Sequence, residues 1–383
     1  MGVFAGPKVV SDGLVLSLDP GNIFKSVDST SNNFLQNGSF AGGLGVTYEQ
    51  GSNPTNTIVE LENPGDSNYV LRQNGNNTEY QMNIDGGAQG TLSASTQYVM
   101  SGWYATSDDY NGGDTMFHAR AYSTGGSHNA TGNGIGTLLY SVEIGGLTWE
   151  YRYQTITTPS DYSGNFDWYM GYGTTNTTGY RYYTGLKVEE GSFPSLLDLS
   201  RNGNDAKIIN GTSYSSANGG SLVFDGVNDY ANIGNVGSPQ QFTFSCWLNA
   251  TELNKDANNN YRRVLVSSVS ANIVLIEQGG PISFRVPGHT NQNNYTAGSV
   301  SLNTWTQITC VYDQDYRKIY QNGNLEGQQQ IGSATVNFGN IQITDVSGQI
   351  FKGFISNIQL YNKALTASEI KQNYNATRGR YGI

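Results

Sequence analysis

Carboxylates and histidines are the side chains of this chain that could carry catalysis, and their spacing argues against it. The only Glu-x-Glu sequence is Glu60-Leu-Glu62, which would aim two carboxylates at one face of a strand, as acid–base cleavage of glycosidic bonds requires. It lies in an Asn-rich stretch without aromatic residues close by to line a cleft. His118, His128 and His289 are far apart and belong to no His-x-x-x-His or Gly-x-Ser-x-Gly motif. We therefore expect no enzymatic activity.

Two segments alternate polar and apolar residues in a pattern that suits carbohydrate recognition. Aromatic rings can stack on the apolar faces of sugars, while amide and charged groups bind the sugar hydroxyls. Strand geometry in residues 116–122 and 149–154 collects the polar residues on one face of each segment. These polar residues, which together could form a binding surface, are His118, Arg120, Tyr122, Glu150, Arg152 and Gln154. The opposite faces of both segments are expected to be core, and a Trp-Tyr-Tyr stripe such as that of residues 149–153 is most often sandwich core.

A group of tyrosines has the same two interpretations, since a tyrosine can bury its ring while its hydroxyl reaches water. Its members are Tyr169, Tyr172, Tyr180, Tyr182 and Tyr183. The sequence alone does not decide between core and binding surface for this group.

A tight turn at Asp225-Gly-Val-Asn-Asp229 groups oxygen donors that a hard cation could use. Asp225, Asn228 and Asp229 supply carboxylate and amide oxygens, which are the ligands that calcium takes in proteins. The alternative is a purely structural turn, in which Asp229 caps backbone amides.

The elements that must position these residues are strands. The chain has 383 residues with 49 Gly and 26 Tyr, and 13% of its residues are charged, against about 25% in ordinary soluble domains. Segments rich in β-branched and aromatic residues alternate with Asn-Gly turns, of which Asn322-Gly323 is the clearest. A capping box from Thr366 to Glu369 predicts one short helix near the C-terminus. The sequence predicts an all-β protein of antiparallel sandwiches.

Charge and hydropathy exclude some functions and suggest two modules. The net charge of −10 disfavours nucleic-acid binding, and no apolar run approaches the roughly 20 residues of a membrane span. Residues 28–192 carry 16 acidic and 5 basic residues, whereas the flanks carry 14 and 15. The flanks are therefore expected to form one nearly neutral domain that an acidic domain interrupts.

Several segments after residue 195 resemble the laminin-G-like, concanavalin A-like jelly roll. They are residues 218–230, 242–247, 305–313, 318–325 and 353–365, the last followed by the short helix. In that family the opening strand often reads like Asp12–Asn22, and a segment like Asp198–Ala206 follows within a short loop. About 170 residues separate the two here, which implies an insertion into the first loop. The predicted domains are a jelly roll of residues 1–27 plus 193–383 and an inserted β-sandwich of residues 28–192.

The insertion is similar, in its first and last strands, to jelly rolls of carbohydrate-binding modules. The matching segments are residues 33–40 and 183–191. Such modules often hold a structural calcium near their termini, and the resemblance implies Asn37, Ser39 and Glu189 as its oxygen donors. The Asp usual near the end of the family's pattern is absent here.

Both ends of the chain, residues 2–13 and 369–381, resemble structural proteins of tailed bacteriophages, especially marine ones. The resemblance implies a non-enzymatic virion protein, either a capsid decoration or a tail component, with weak glycan-binding capacity. The alternatives are a secreted or surface carbohydrate-binding protein of a bacterium and a glycosidase. The start of the sequence lacks the apolar core of a signal peptide, which weighs against secretion.

In the virion interpretation, the partners are other virion proteins and host-surface polysaccharide. A basic, partly flexible chain end is then the expected docking element for an acidic capsid, through Lys8, Lys371, Arg378 and Arg380. Assembly in a reducing cytosol would keep the two cysteines, Cys246 and Cys310, as buried thiols.

Overall fold

The structure is a computed structural model, and its described residues form an antiparallel all-β fold with one short α-helix near the C-terminus. This confirms the predicted fold class. The described residues are 8–20, 47–50, 56–64, 68–74, 79–83, 92–113, 115–131, 134–171, 178–196, 198–200, 202–210, 212–215, 217–253, 262–268, 272–290, 293–344 and 350–383. Asn37, Ser39 and Tyr172 lie outside them.

The chain divides into two compact units. Residues 1–26 and 195–383 form the flanking unit, and residues 27–194 form the inserted unit. Each unit is built from strands that pair with antiparallel neighbours, in keeping with the short, Gly- and Asn-punctuated segments of the sequence.

The strands of the first half of the chain include nearly all of those in the inserted unit. They are β1 (Leu14–Leu18), β2 (Thr47–Gln50), β3 (Asn56–Glu60), β4 (Tyr69–Asn74), β5 (Glu79–Asn83), β6 (Gln97–Thr106), β7 (His118–Ser123), β8 (His128–Ala130), β9 (Thr137–Ile144), β10 (Leu147–Thr157), β11 (Tyr162–Met170) and β12 (Tyr180–Glu190).

The strands of the second half build most of the flanking unit. They are β13 (Phe193–Leu196), β14 (Ala206–Ile209), β15 (Ser213–Ser215), β16 (Ser221–Asp225), β17 (Tyr230–Asn235), β18 (Phe242–Ala250), β19 (Arg262–Ser267), β20 (Val274–Ile276), β21 (Pro281–Phe284), β22 (Tyr295–Ser299), β23 (Thr306–Tyr312), β24 (Tyr316–Gln321), β25 (Asn324–Gln330), β26 (Asn340–Ile343) and β27 (Lys352–Tyr361). The helix α1 spans Ala367–Thr377.

The inserted unit has a six-stranded and a five-stranded sheet. The six-stranded sheet has the order β3-β4-β12-β6-β10-β9, and the five-stranded sheet has the order β2-β5-β11-β7-β8. A shared core joins residues of both sheets, including Met100 and Val188 from the first and Trp168 from the second. Within the six-stranded sheet, Gly102 of β6 leaves room for the Leu186 side chain of the neighbouring strand β12, because a Cβ at residue 102 would lie 2.5 Å from Cδ2 of Leu186.

The flanking unit has two eight-stranded sheets. One has the order β15-β16-β27-β18-β23-β24-β25 with β1 paired to β27, and the other has the order β13-β14-β17-β26-β19-β20-β21-β22. Cys246 and Cys310 are fully buried, free thiols on β18 and β23. Burial raises the pKa of both thiols, and the neighbouring Cys310 raises the pKa of Cys246 further.

The opening strand β1 belongs to the flanking unit although the insertion follows it. It runs antiparallel to β27, with Ser17 paired to Gln359. The buried carboxylate of Asp198 accepts a hydrogen bond from the backbone N–H of Ser17 at 2.9 Å. The side chain of Asn204 donates to the carbonyl of Val15 at 2.7 Å. The segment after the insertion therefore binds the strand that precedes it.

The C-terminal residues are part of the flanking unit's structure. Thr366 and Glu369 form the predicted capping box at the start of α1. Beyond the helix, the Tyr381 ring stacks on Trp247 with centroids 4.1 Å apart and also contacts Trp305. No helix among the described residues is long and apolar enough to cross a membrane.

Arg380 is bound on all sides by the flanking unit. Its guanidinium lies 2.7 Å from the Asp19 carboxylate and donates to the carbonyls of Asn218, Gly219 and Gly220. The donors of Arg380 are therefore engaged within the fold, and its role in docking stays a prediction.

Candidate functional site

The outer face of the five-stranded sheet, opposite the core, gathers polar and aromatic residues. On β7, Ala119 and Ala121 point into the core, so alternation puts His118, Arg120 and Tyr122 on the outer face. These three are the half of the sequence-predicted set that the structure keeps together.

The neighbouring strand β11 extends this face. Phe166, Trp168 and Met170 are core residues, so Asp167 and Tyr169 alternate outward. The backbone register pairs Asp167 with Arg120 and Tyr169 with His118. Asp167 was not among the predicted site residues: the alternation Phe-Asp-Trp-Tyr-Met indicates its outward face but not the strand that lies beside it.

Side chains from the two strands form a connected group. The His118 and Tyr169 ring centroids are 5.5 Å apart, and the Arg120 guanidinium lies 5.4 Å from the Tyr169 centroid. The Tyr169 hydroxyl donates to a carboxylate oxygen of Asp167 at 3.1 Å. Burial and then the Asp167 charge raise the pKa of the Tyr169 hydroxyl, which therefore remains a proton donor at neutral pH.

A second ring pair completes the group at the sheet's edge. Tyr122 is half-buried, His128 on β8 is exposed, and their ring centroids are 5.3 Å apart. We call the six residues the outer-face cluster: His118, Arg120, Tyr122, His128, Asp167 and Tyr169. Its rings and charged groups lie on one sheet: His118, Asp167 and Tyr169 are buried, and His128 is exposed to water.

The backbone register continues across the sheet to two further strands. Residue 81 of β5 pairs with Tyr169 of β11, and residue 48 of β2 pairs with residue 81.

Glu150, Arg152 and Gln154 do not share this surface. They lie on β10 of the six-stranded sheet, where Arg152 pairs with Gly102 and Gln154 with Met100, a core residue. Arg152 is largely buried, and it binds the Glu150 carboxylate at 2.8 Å and the Gly136 carbonyl at 3.0 Å. The expectation that the two polar sets form one surface is wrong, because they belong to different sheets.

The aromatic stripe of β10 is buried, but on the face away from the shared core. Tyr151 lies 5.1 Å from Trp103, and its hydroxyl donates to Ser101 at 3.0 Å. Burial raises the pKa of the Tyr151 hydroxyl. Both faces of β10 are therefore largely buried, and a strand buried on both faces gives no simple inside–outside alternation.

In the Asp225–Asp229 turn, the carboxylates accept hydrogen bonds from backbone N–H groups of the same turn. The Val227 N–H donates to Asp225 at 2.7 Å, and the Asp225 N–H donates to Asp229 at 2.9 Å. Asn228 contributes its carbonyl to a hydrogen bond from Asn210. Burial raises the pKa of Asp229 to about 6. These hydrogen bonds are those expected of a purely structural turn, in which carboxylates cap backbone amides.

Calcium stays a prediction at both sites. No cluster of three or more His, Cys, Asp or Glu side chains suited to a metal occurs in the parts of the chain that the structure describes. Glu189 lies buried on β12, while the two residues expected to join it as ligands, Asn37 and Ser39, are outside the described ranges.

The remaining candidates are dispersed. Glu60 ends β3 and Glu62 follows it in a loop, and both are exposed. Lys371 donates to Asn324 at 3.0 Å, and the exposed Arg378 lies over the Tyr374 ring. Lys8 is exposed, and its carbonyl accepts a hydrogen bond from Gln372. The docking role of Lys8, Lys371, Arg378 and Arg380 stays a prediction.

Comparison with known proteins supports the fold of the flanking unit. Residues 224–371 match the Concanavalin A-like lectin/glucanases superfamily, which confirms the predicted concanavalin A-like jelly roll. No curated protein is significantly similar in sequence to this chain.

Similar solved structures have low sequence identity to this chain and TM-scores below 0.5. The binding domain of Paraclostridial Mosquitocidal Protein 1 is 17% identical, with a TM-score of 0.41 over 47% of this chain and 49% of that one. Domain 4 of a GH43 extracellular arabinanase from Geobacillus stearothermophilus, in complex with arabinotriose, is 16% identical, with a TM-score of 0.38 over 46% and 91%. The Botulinum Neurotoxin Type G Receptor Binding Domain is 16% identical, with a TM-score of 0.37 over 47% and 48%. This chain thus matches about half the length of the first of these structures.

Proposed function

We propose that this protein is a non-enzymatic carbohydrate-binding protein whose glycan site is the outer-face cluster. The observation that carries the proposal is the conjunction of rings and charged groups on one sheet face, in which Arg120 lies over Tyr169 and Tyr169 binds Asp167. The superfamily that residues 224–371 match contains lectins and glucanases, and this match concerns the flanking unit rather than the unit that carries the cluster.

The chemistry of the cluster suits a sugar ring. The Tyr122 and His128 rings at the open edge can cover the apolar face of a pyranose, whose C–H groups favour an aromatic surface. The half-buried Arg120 supplies N–H donors for vicinal hydroxyls, while the buried Asp167 accepts a hydrogen bond from Tyr169, whose ring lies beside Arg120. Because Tyr169 already orients both groups, a ligand pays little to order them.

Binding and catalysis are distinguished by one pair of assays. The full-length protein is titrated calorimetrically with soluble polysaccharides, and the same mixtures are examined for new reducing ends. We expect weak binding, about millimolar per site, and no product. Such affinity becomes useful through many copies acting together. Release of sugar from a bound polysaccharide would support a glycosidase instead.

The Tyr122→Ala variant locates the site. Loss of the ring should reduce glycan affinity about five- to tenfold, because one stacking surface contributes about 1–1.4 kcal/mol. Tyr316→Ala is the matched control, since Tyr316 is also half-buried but lies on β24 of the flanking unit. Equal affinity for the wild type and Tyr122→Ala would contradict the proposed site.

We propose the virion of a tailed bacteriophage as the setting, with other virion proteins as partners and host-surface polysaccharide as the glycan. The support for this setting is the sequence resemblance of residues 2–13 and 369–381 to phage structural proteins. Mass spectrometry of purified particles tests it. Absence of the protein from particles, with retained glycan binding, would favour the secreted or surface-bound bacterial alternative.

A further inference from the structure

A strip of aromatic residues with an arginine lies on the outer face of the six-stranded sheet, away from the outer-face cluster. Thr57, Arg72, Tyr182 and Ala105 fall in one row across strands β3, β4, β12 and β6. Trp149 of β10 lies one residue before Glu150, which pairs with Tyr104 of β6. Ala105 is small, so the rings on either side of it, Tyr182 and Trp149, approach to 6.3 Å between centroids. The strip therefore passes from a fully buried tryptophan to an exposed edge.

Tyr180 forms the exposed end of this strip. It lies two residues before Tyr182 on β12, is 38% exposed, and its ring centroid is 6.3 Å from that of Tyr182. Its backbone is fixed by two hydrogen bonds with Ser107, of 2.8 and 2.9 Å. Gly179 allows this arrangement, because a Cβ there would lie 2.5 Å from Cα of Tyr110. The exposed Tyr180 ring is thus attached to a backbone that two hydrogen bonds hold in place.

Arg72 places a cation beside this ring. Its guanidinium carbon lies 4.8 Å from the Tyr180 centroid, and its Nε donates to Thr57 at 3.3 Å. The cation–π contact with Tyr180 and the hydrogen bond to Thr57 together hold the guanidinium beside the exposed ring. A planar, oriented guanidinium matches a carboxylate through two parallel hydrogen bonds.

We infer that Arg72, Tyr180 and Tyr182 form a second binding site, for sugars that carry a carboxylate. The sugar's apolar face stacks on the exposed Tyr180 ring, and its carboxylate binds Arg72. The site is on a different sheet from the outer-face cluster, so it stands or falls independently of the proposed function.

The local charges set the expected selectivity. The inserted unit is acidic overall, but charges farther away than about 8 Å are largely screened at physiological salt. Burial is the main cause that raises the pKa of the Tyr182 hydroxyl. The charge of Arg72 lowers this pKa, and the charge of Asp109 raises it. The Asp109 carboxylate should therefore weaken the binding of an anionic sugar.

The probe is an oligomer of galacturonic acid, and a neutral galactose oligomer of equal length is its control. Calorimetric titration of the full-length Tyr122→Ala variant removes the contribution of the outer-face cluster. We expect this variant to bind the acidic oligomer at least tenfold more tightly than the neutral one. Equal binding of the two oligomers, or no binding of either, would overturn the inference.

Three substitutions in the same background test the residues. Arg72→Gln and Tyr180→Ala should each lower affinity for the acidic oligomer about tenfold, and circular dichroism checks that both variants stay folded. Asp109→Asn keeps the acceptor that Ser107 binds at 2.7 Å, and it should raise affinity about two- to threefold. Unchanged affinity in Arg72→Gln and in Asp109→Asn would contradict the site even if Tyr180→Ala failed to fold.

Discussion

The guanidinium of Arg380 lies 2.7 Å from the carboxylate of Asp19, although 361 positions separate them in the chain. Asp19 follows the opening strand β1, and Arg380 lies just beyond the last helix. Arg380 also reaches the loop before β16 through the Asn218 and Gly220 carbonyls. One side chain thus connects three segments of the flanking unit, on both sides of the insertion.

The C-terminal residues are expected to stabilise the flanking unit. Tyr381→Ala removes a buried ring from between Trp247 and Trp305, and it should lower the free energy of unfolding by about 3 kcal/mol. Ile383→Ala is the control, because that side chain is 45% exposed and should change stability by less than about 0.5 kcal/mol. Chemical denaturation measures both. Equal stability of the two variants would mean that the last residues are dispensable.

The insertion should be removable. Deleting residues 28–192 and joining the ends with a short turn should leave a soluble β-domain, since Ser17 and Asp198 already bind each other across the insertion. Circular dichroism and gel filtration measure the result. Adding Asp198→Ala to the deletion should destabilise it, because three backbone N–H groups lose their acceptor. An aggregated deletion variant without β signal would contradict this division of the chain.

Asp229 should make stability depend on pH. Its pKa is about 6 in the folded protein, against an ordinary value of 3.8, because burial disfavours the charged carboxylate. The folded state therefore binds more protons between these values, and stability falls as pH rises from about 4 to 6. Asp229→Asn removes this loss, so the stability of the variant relative to the wild type should rise by about 1–2 kcal/mol between pH 4 and 7. A pH-independent difference in unfolding free energy would contradict the prediction.

The thiols should be unreactive in the native protein. Cys246 and Cys310 are fully buried, so a reagent in solution cannot reach their sulfur atoms. Burial also raises the pKa of both thiols, so the reactive thiolate form is scarce at neutral pH. A thiol reagent should label neither cysteine in buffer and both in denaturant. Rapid labelling of either one in the native protein would show that β18 or β23 opens readily.

Local signals in the sequence predicted the elements whose geometry is set by a few neighbouring residues. The turn at Asn322-Gly323 has positive φ at both residues and joins β24 to β25, as its dipeptide requires. The capping box between Thr366 and Glu369 likewise depends on residues three apart. Side chains 118, 120 and 122 share a face because one strand's pleat decides it.

Features that depend on distant segments were not predictable in this way. Alternation in β10 separates Trp149 from Arg152, but both residues are largely buried, because each face of that strand is covered. The internal role of Arg380 depends on carbonyls about 160 residues away in sequence. Asp167 joins the outer-face cluster through pairing between β11 and β7, which no local pattern specifies.

Hydrogen–deuterium exchange with and without a bound polysaccharide can locate the glycan site within the chain. Binding should slow exchange in peptides covering residues 118–130 and 162–170, the strands that carry the outer-face cluster, and Tyr122→Ala should abolish this protection. Protection confined to the flanking unit, in a complex that calorimetry shows to be formed, would contradict the assignment of glycan binding to this sheet.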